Sequence, residues 1–446
     1  MAEVITLISK GAPLTREEVD QNFDDLHPPL SAQESRIESS RCLFCYDAPC
    51  VQACPTSIDI PKFIRQISTN NFTGSAKTIL GSNIMGGTCA RACPTEVLCE
   101  QKCVLNAGEN KPIKIGQLQR VAVDHLMETA NSHPFERAPS TGKTVAVVGA
   151  GPAGLACAHA LACDGHDVVV YEAKSKSGGL NEYGLAAYKM VNDFAAKEVE
   201  FILEVGGISI KNGTALGRDV QLSDLQESHD AVFIGVGLAR ARKLGLDGES
   251  LSGVRDALGY IESLRQASDL TSVEHGNDVV VIGGGNTAID AAVQSKRLGA
   301  RHVTLAYRRG PEEMGATDFE QDLAATNGVN IIHWATPVGL SGNGSVQRIK
   351  LERTKSVAGK LEMTGETFEL ETDQVLVAVG QSMIPDTLGG LELDGSKIAV
   401  DAKGATSLAG VFAGGDCIRS GEDLTVQAVE DGKVAARAIT EYLKEG

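Results

Sequence analysis

The chain of 446 residues is short of basic charge and of long apolar runs. Its 41 Lys and Arg stand against 58 Asp and Glu, a formal net charge of −17. That argues against a nucleic-acid binder, because such proteins carry a basic face that replaces counterions at the phosphates. No window reaches the roughly 20 apolar residues that a membrane helix needs. The opening "MAEVITLISKGAPLTREEVD" has no basic stretch followed by an apolar one, so no secretory signal is read and a cytoplasmic location is expected. With 42% hydrophobic residues, the chain is long enough for two or three domains, each with its own core.

Cysteine, by contrast, is plentiful and uneven: eight of eleven fall between residues 42 and 103. In a reducing compartment such a cluster reads as metal binding before disulfides. The stretch "SRCLFCYDAPCVQACPTSIDI" places Cys42, Cys45, Cys50 and Cys54 in the spacing C-x2-C-x4-C-x3-C-P, and Cys89, Cys93, Cys99 and Cys103 form a second group of four. Eight thiols suit two iron-sulfur clusters with four ligands each, a count in which Cys89 is the eighth. The Cys-Pro pair echoes bacterial ferredoxins, where that last cysteine ligates the other cluster. Zinc is the alternative occupant, since C-x2-C knuckles bind it. Cys157 and Cys163 read as small buried hydrophobes, and Cys417 receives no chemistry.

Three territories follow one another. Residues 1–135 carry helix-period patterns and few strand signals. Two βαβ units come next, "TVAVVGAGPAGLACAHALACDGHDVVVYEA" and "DVVVIGGGNTAIDAAVQSKRLGARHVTLAYRRG", of one design and expected in separate domains. The expected boundaries are 142–265 with 384–446 for the first, discontinuous domain, and 266–383 for the second.

In the first unit Gly149, Gly151 and Gly154 form G-x-G-x-x-G, which turns the backbone tightly and brings a helix N-terminus, through Pro152 and Ala153, against a pyrophosphate. Glu172 ends the next strand, where it can accept hydrogen bonds from an adenosine ribose. In the second unit Gly283, Gly285 and Ala288 replace the three glycines, with Gly284, Asn286 and Thr287 in the same turn. Matching "TLAYRR" to "VVVYEA" puts Arg308 in the place of Glu172. A guanidinium there, with Arg309 beside it, binds a ribose 2′-phosphate that a carboxylate would repel, so NADPH is favoured over NADH.

Apolar runs at 230–237 and 373–380 end in small residues, including Ala378 and Gly380, where the chain could cross between domains. "TSLAGVFAGGD" then resembles the second flavin motif of the glutathione-reductase-like flavoproteins, in which the final Asp, here Asp416 after Gly415, contacts the ribityl chain. "DLTVQAVEDGKVAARAI" starts a helix whose N-terminus, at Thr425 and Val426, would stabilise negative charge on reduced flavin. The first dinucleotide site is thereby assigned to FAD. Beside a flavin and a hydride donor, an electron relay is the better use of the eight thiols than zinc.

These residues carry a wider resemblance. "RCLFCYDAPCVQACPTSIDIPKFI", "NFTGSAKTI", "CPTEVLC" and "PIKIGQLQR" resemble the N-terminal iron-sulfur domain of dihydropyrimidine dehydrogenase, and the likeness runs on through both nucleotide domains. It implies an α/β protein with a helical iron-sulfur domain before two Rossmann-like domains. It also implies cluster ligands Cys42, Cys45, Cys50 and Cys103 for one 4Fe-4S centre and Cys54, Cys93, Cys99 and Gln119 for the other, with Cys89 spare. That ligand set departs from the bare cysteine count. The run from Glu172 to Leu180, with Gly178 and Gly179, would approach the flavin, and Lys189 stands where the family more often has Arg.

The family's FMN barrel and further ferredoxin-like cysteines have no counterpart in this sequence. The resemblance therefore implies the electron-input subunit of a bacterial enzyme, a heterotetramer with an FMN- and iron-sulfur-containing catalytic chain that acts on uracil and thymine. The hydride step needs no side-chain acid or base, so no catalytic residue is named. The small subunit of glutamate synthase shares this architecture and is the second reading; a zinc-stabilised, non-catalytic redox-sensing scaffold is a third.

Overall fold

The computed structural model describes residues 14–238, 240–383, 388–419 and 423–445. The expected N-terminal features before residue 14 and the expected domain start at 384 lie outside the described residues. The chain forms two compact units. The larger comprises Asp25–Leu185, Lys189–Arg240 and Gln381–Gly446; the smaller comprises Met1–Asp24, Ala186–Tyr188 and Ala241–Gly380.

In the larger unit, short helices carry the whole cysteine-rich region. The helix Ile60–Ser68 starts at an Asp59 cap, whose side chain accepts from the Lys62 N–H, and buries Phe63, Ile64 and Ile67 along one stripe. The helices Phe72–Ser82 and Ile115–Thr129 bury Ile79, Leu80, Leu118 and Val123. They share one hydrophobic cluster with Val147 and Leu155 of the first βαβ unit and Ile439 of the last helix, so the helical region and the first sheet have a common core.

That sheet is parallel, in the order Val411–Ala413, Ala231–Ile234, Thr144–Val148, Asp167–Glu172, Ile208–Asn212. Its central strand is an unbroken apolar run because both faces are covered, as is usual for parallel sheets. The helices Pro152–Cys163 and Thr425–Glu445 pack so closely that a Cβ on Gly432 would come within 2.2 Å of the Ala153 carbonyl oxygen.

The smaller unit repeats the design: Val254–Asp256, Gln374–Ala378, Asp278–Gly283, His302–Ala306 and Asn330–Ile332, again parallel. The expected boundary at 265 is corrected here. Val254–Asp256 pairs with Gln374–Ala378, so the chain enters this unit at Ala241 and leaves it at Gly380. The N-terminal helix Arg16–Asn22 also belongs to it: Asn22 and Arg297 exchange side-chain to backbone hydrogen bonds at 2.9 Å. An antiparallel three-stranded sheet, Ala335–Asn343, Ser345–Val357 and Lys360–Glu371, completes the unit and was not anticipated.

Candidate redox site

Cys42, Cys45, Cys50 and Cys103 ring one cavity, whose remaining walls include Ile60, Ile64, Ile113 and Ile115. Three of these thiols come from the loop before, and the first turn of, the short helix Pro49–Gln52; the fourth comes from some fifty residues further on, at the start of the helix Val104–Glu109. Burial raises the Cys50 thiol to about 12 and raises Cys42, and the neighbouring thiols add to both shifts. Such groups become thiolates only when a cation supplies the charge. Among the described residues no three His, Cys, Asp or Glu side chains converge on a point that would hold a single ion. The four thiols line one cavity, and four cysteine ligands fit a 4Fe-4S centre.

The second group is arranged less openly. Cys93 and Cys99 both feel Cys54, and burial raises their thiols well above the usual range. Gln119 is buried on the helix Ile115–Thr129 and donates from Nε2 to the Gly86 carbonyl at 2.7 Å, so that bond engages its amide nitrogen and not its amide oxygen. Cys89 is also buried and close to Cys93, but its sulfur accepts from Asn83 Nδ2 at 3.2 Å.

Three polar groups that sequence reasoning missed fix this segment. Glu198, on the helix Phe194–Leu203, accepts from the Thr88 N–H at 2.9 Å and from its hydroxyl, and burial lifts its carboxyl to about 7. Arg91 pairs with both oxygens of Asp124 at 2.8 Å and lies 3.4 Å over the Phe194 ring. Asn181 donates to Met85 Sδ at 3.7 Å and accepts from Thr425 Oγ1 at 2.9 Å, while the Met85 N–H bonds Asn83 Oδ1 at 3.0 Å. A buried polar chain thus runs from the start of the last helix to Cys89. A lone Asn or Glu in a helical pattern leaves no periodic mark, so only topology reveals these groups.

The first glycine loop joins Thr144–Val148 to the helix Pro152–Cys163. Gly149 has φ +99°, and a Cβ on Gly154 would lie 1.9 Å from its carbonyl oxygen, so both positions require glycine. Gly151 is different: a Cβ there would meet nothing closer than Gly179 Cα at 3.8 Å. The room beside Gly151 fits the close approach of a pyrophosphate, with Gly178 and Gly179 running alongside, the Gly178 N–H bonded to the Ala150 carbonyl at 2.8 Å. Leu180 opens the short helix that carries Asn181.

Glu172 accepts from the Ala150 and Lys174 N–H groups, each at 2.8 Å, and so lies at the edge of the loop. Lys189 is buried in the same unit. Asp416 is half-buried; burial, with Asp423 and Asp431 nearby, lifts it to about 6. The neighbouring Gly415 N–H bonds Asp431 Oδ2 at 3.1 Å. Thr425 starts the 21-residue final helix and Val426 is buried behind it.

In the second loop a Cβ on Gly285 would meet nothing within 4 Å, while one on Gly283 would strike the Ala378 carbonyl at 2.3 Å. Asn286 Oδ1, at the N-terminus of the helix Asn286–Arg297 and beside Thr287, is buried without a partner. An open glycine and an orphaned acceptor fit a dinucleotide. Gly380, with φ +99°, follows the same strand end.

The register corrects one alignment. Val148 pairs with Tyr171, and Ile282 pairs with Ala306, so Tyr307 and not Arg308 holds the place of Glu172. The side chains agree: Glu172 bonds Ala150, and the Tyr307 ring lies against Gly284, the residue equivalent to Ala150. The connection from Gly285 to His302 is one residue longer than that from Gly151 to Asp167, and matching Tyr to Tyr hid the insertion. Arg308 follows one residue later and is exposed; Arg309 lies 3.8 Å from Glu313.

Comparison with known proteins agrees with this geometry. Residues 143–432 match the pyridine nucleotide-disulphide oxidoreductase family, and residues 19–131 match the domain described as dihydropyrimidine dehydrogenase domain II, 4Fe-4S cluster. An NAD-dependent dihydropyrimidine dehydrogenase subunit of Salmonella typhimurium is 36% identical over 95% of this chain and 98% of its own length. The small chain of the NADPH glutamate synthase of Escherichia coli is 34% identical over 95% and 94%. In fold, FprA of Mycobacterium tuberculosis superimposes with a TM-score of 0.57 at 23% identity, covering 69% of this chain and 85% of its own. Thioredoxin reductase of Lactococcus lactis gives 0.55 at 22%, covering 68% and 100%. The chain belongs to the pyridine nucleotide-disulphide oxidoreductase family, as an NAD(P)H-dependent flavoprotein that carries an N-terminal 4Fe-4S domain of the dihydropyrimidine dehydrogenase type.

Proposed function

We propose that this chain is the electron-input subunit of a dihydropyrimidine dehydrogenase, working in the cytoplasm with a partner chain that holds FMN, further iron-sulfur centres and the uracil or thymine site. The observation that carries the reading is the ring of Cys42, Cys45, Cys50 and Cys103, built into the same compact unit as the first dinucleotide loop. When bound, FAD takes a hydride from NAD(P)H and the clusters pass electrons onward singly.

The residues supply binding and electrostatics. The Gly149–Gly154 loop and Glu172 hold the adenosine diphosphate half of FAD; Gly178 to Leu180, Lys189, Asp416 and the Thr425 helix terminus surround its other half. Gly283 to Thr287, Ala378 and Gly380 hold the nicotinamide dinucleotide, with Arg308 and Arg309 on a 2′-phosphate. The loss of the ribose-binding acid at Tyr307 supports NADPH as strongly as the two cations do. Cys42, Cys45, Cys50 and Cys103 ligate one cluster, and Cys54, Cys93, Cys99 and Gln119 the other, which leaves Cys89 as a hydrogen-bond acceptor for Asn83. Two such chains with two partners form the expected heterotetramer.

The second reading, a glutamate synthase small subunit, rests on the 34% identity over nearly the whole of both chains. Reconstitution separates the two. The chain should reduce a dye with NADPH by itself, and should reduce uracil only with an FMN-containing partner. Activity with glutamine and 2-oxoglutarate beside a glutamine-hydrolysing partner would select the second reading.

A further inference from the structure

Eleven large hydrophobic side chains are exposed among the described residues; two of them line the Cys42 cavity and a third follows a lining cysteine in sequence. Leu43 is 62% exposed, Val104 40%, and Tyr46, next to the lining Cys45, is fully exposed. Leu43 and Val104 themselves line the cavity. An exposed tyrosine beside exposed aliphatic side chains that line a thiol cavity is of the kind enriched at protein contacts.

The charged residues that flank the cavity lining in sequence differ in balance from the rest of the chain. Lys62, Arg65, Lys102 and Lys114 are exposed, and each adjoins a cavity-lining residue in sequence. Two exposed acids lie in the same stretches, Asp59, whose side chain caps a helix, and Asp47, which follows Tyr46. Acids outnumber bases 58 to 41 overall, so the exposed residues that flank the cavity lining in sequence are richer in cations than the chain as a whole. Arg65 also lies 4.6 Å over the Phe44 ring, which holds its charge beside the thiols.

We infer that the mouth of the Cys42–Cys103 cavity is the docking surface for the electron-accepting protein, and that this partner presents an acidic rim around its own redox centre. Tyr46 and Leu43 form the apolar centre, and the four cations steer the encounter. Electron tunnelling falls steeply with distance, and this group of thiols is the more exposed one: Cys99 and Gln119 of the other set are buried. The inference rests on the electron-input reading above and specifies where electrons leave.

The test uses the holoprotein with two acceptors, a small neutral dye and an acidic 2Fe-2S ferredoxin as a surrogate partner, each reduced by NADPH. Dye reduction tests the electron-input reading; ferredoxin reduction tests the surface. For the wild type, the ferredoxin rate should fall at least tenfold as salt rises from low to high ionic strength, because exposed charges are screened. Tyr46→Ser and Lys102→Glu should each slow ferredoxin reduction about tenfold at low salt, with dye turnover within twofold and iron content unchanged. A ferredoxin rate that ignores salt and both substitutions, or a wild type that does not reduce ferredoxin, would overturn the proposed surface while leaving the dye result to stand or fall separately.

Discussion

The environment of Cys89 allows the eighth cluster ligand to be decided by two substitutions. Its sulfur is buried and accepts Asn83 Nδ2, while Asn83 Oδ1 holds the Met85 N–H. Cys89→Ala removes that acceptor and leaves a buried amide donor unpaired, at a cost of about 1–3 kcal/mol. The vacated sulfur volume adds about 1 kcal/mol. Cys89→Ser keeps an acceptor and should recover about half of the loss. Neither change should alter iron, which stays at about eight atoms per chain for two 4Fe-4S clusters. Gln119→Ala loses the Gly86 hydrogen bond and one cluster contact, so iron should drop toward about four. Iron and acid-labile sulfide analysis, with thermal unfolding of the same samples, reads both quantities. If Cys89→Ala halves the iron while Gln119→Ala leaves it intact, Cys89 is the ligand and the assignment of Gln119 is wrong.

Three other outcomes follow from named residues. Arg308→Ala should raise the KM for NADPH by a factor that corresponds to about 1.5–3 kcal/mol while changing that for NADH little; equal loss with both would remove Arg308 from the 2′-phosphate. Burial lifts Glu198 from 4.5 to about 7, so the fold prefers its protonated form. Its stabilising contribution is full below about pH 4.5 and is lost as pH rises through about 7, a difference of up to about 3 kcal/mol. Glu198→Gln should therefore gain stability relative to the wild type between pH 5 and 8, and a pH-independent difference in Tm would contradict the buried carboxyl. The isolated chain should reduce no uracil or thymine, and verified single-chain turnover would remove the need for a partner.

What could be read from the sequence divides along physical lines. The glycine loops were legible because Gly149 and Gly154 answer to steric demands that no other residue meets, and the strands beside them because burial on both faces makes their apolar runs continuous. The Arg308 position was set one residue off, since a one-residue insertion after the helix Asn286–Arg297 changes pairing without changing composition. The crossing at Ala241 was placed too late because the strand Val254–Asp256 is three residues long and carries little pattern. The antiparallel sheet did leave a signal in the Asn343-Gly344 turn, a hairpin dipeptide between alternating segments. Asn181, Asn83 and Glu198 left none, because each becomes important only through partners that are distant in sequence, such as the Glu198 contact with Thr88.

Anaerobic addition of NADPH to the reconstituted chain, followed by visible absorption and electron paramagnetic resonance, tests the central claim most directly. The account predicts loss of the flavin bands together with broad bleaching of the iron-sulfur absorption and the appearance of a reduced-cluster signal, without any partner present. Bleaching confined to the flavin, with the iron centres left oxidised or with zinc found in their place, would contradict it.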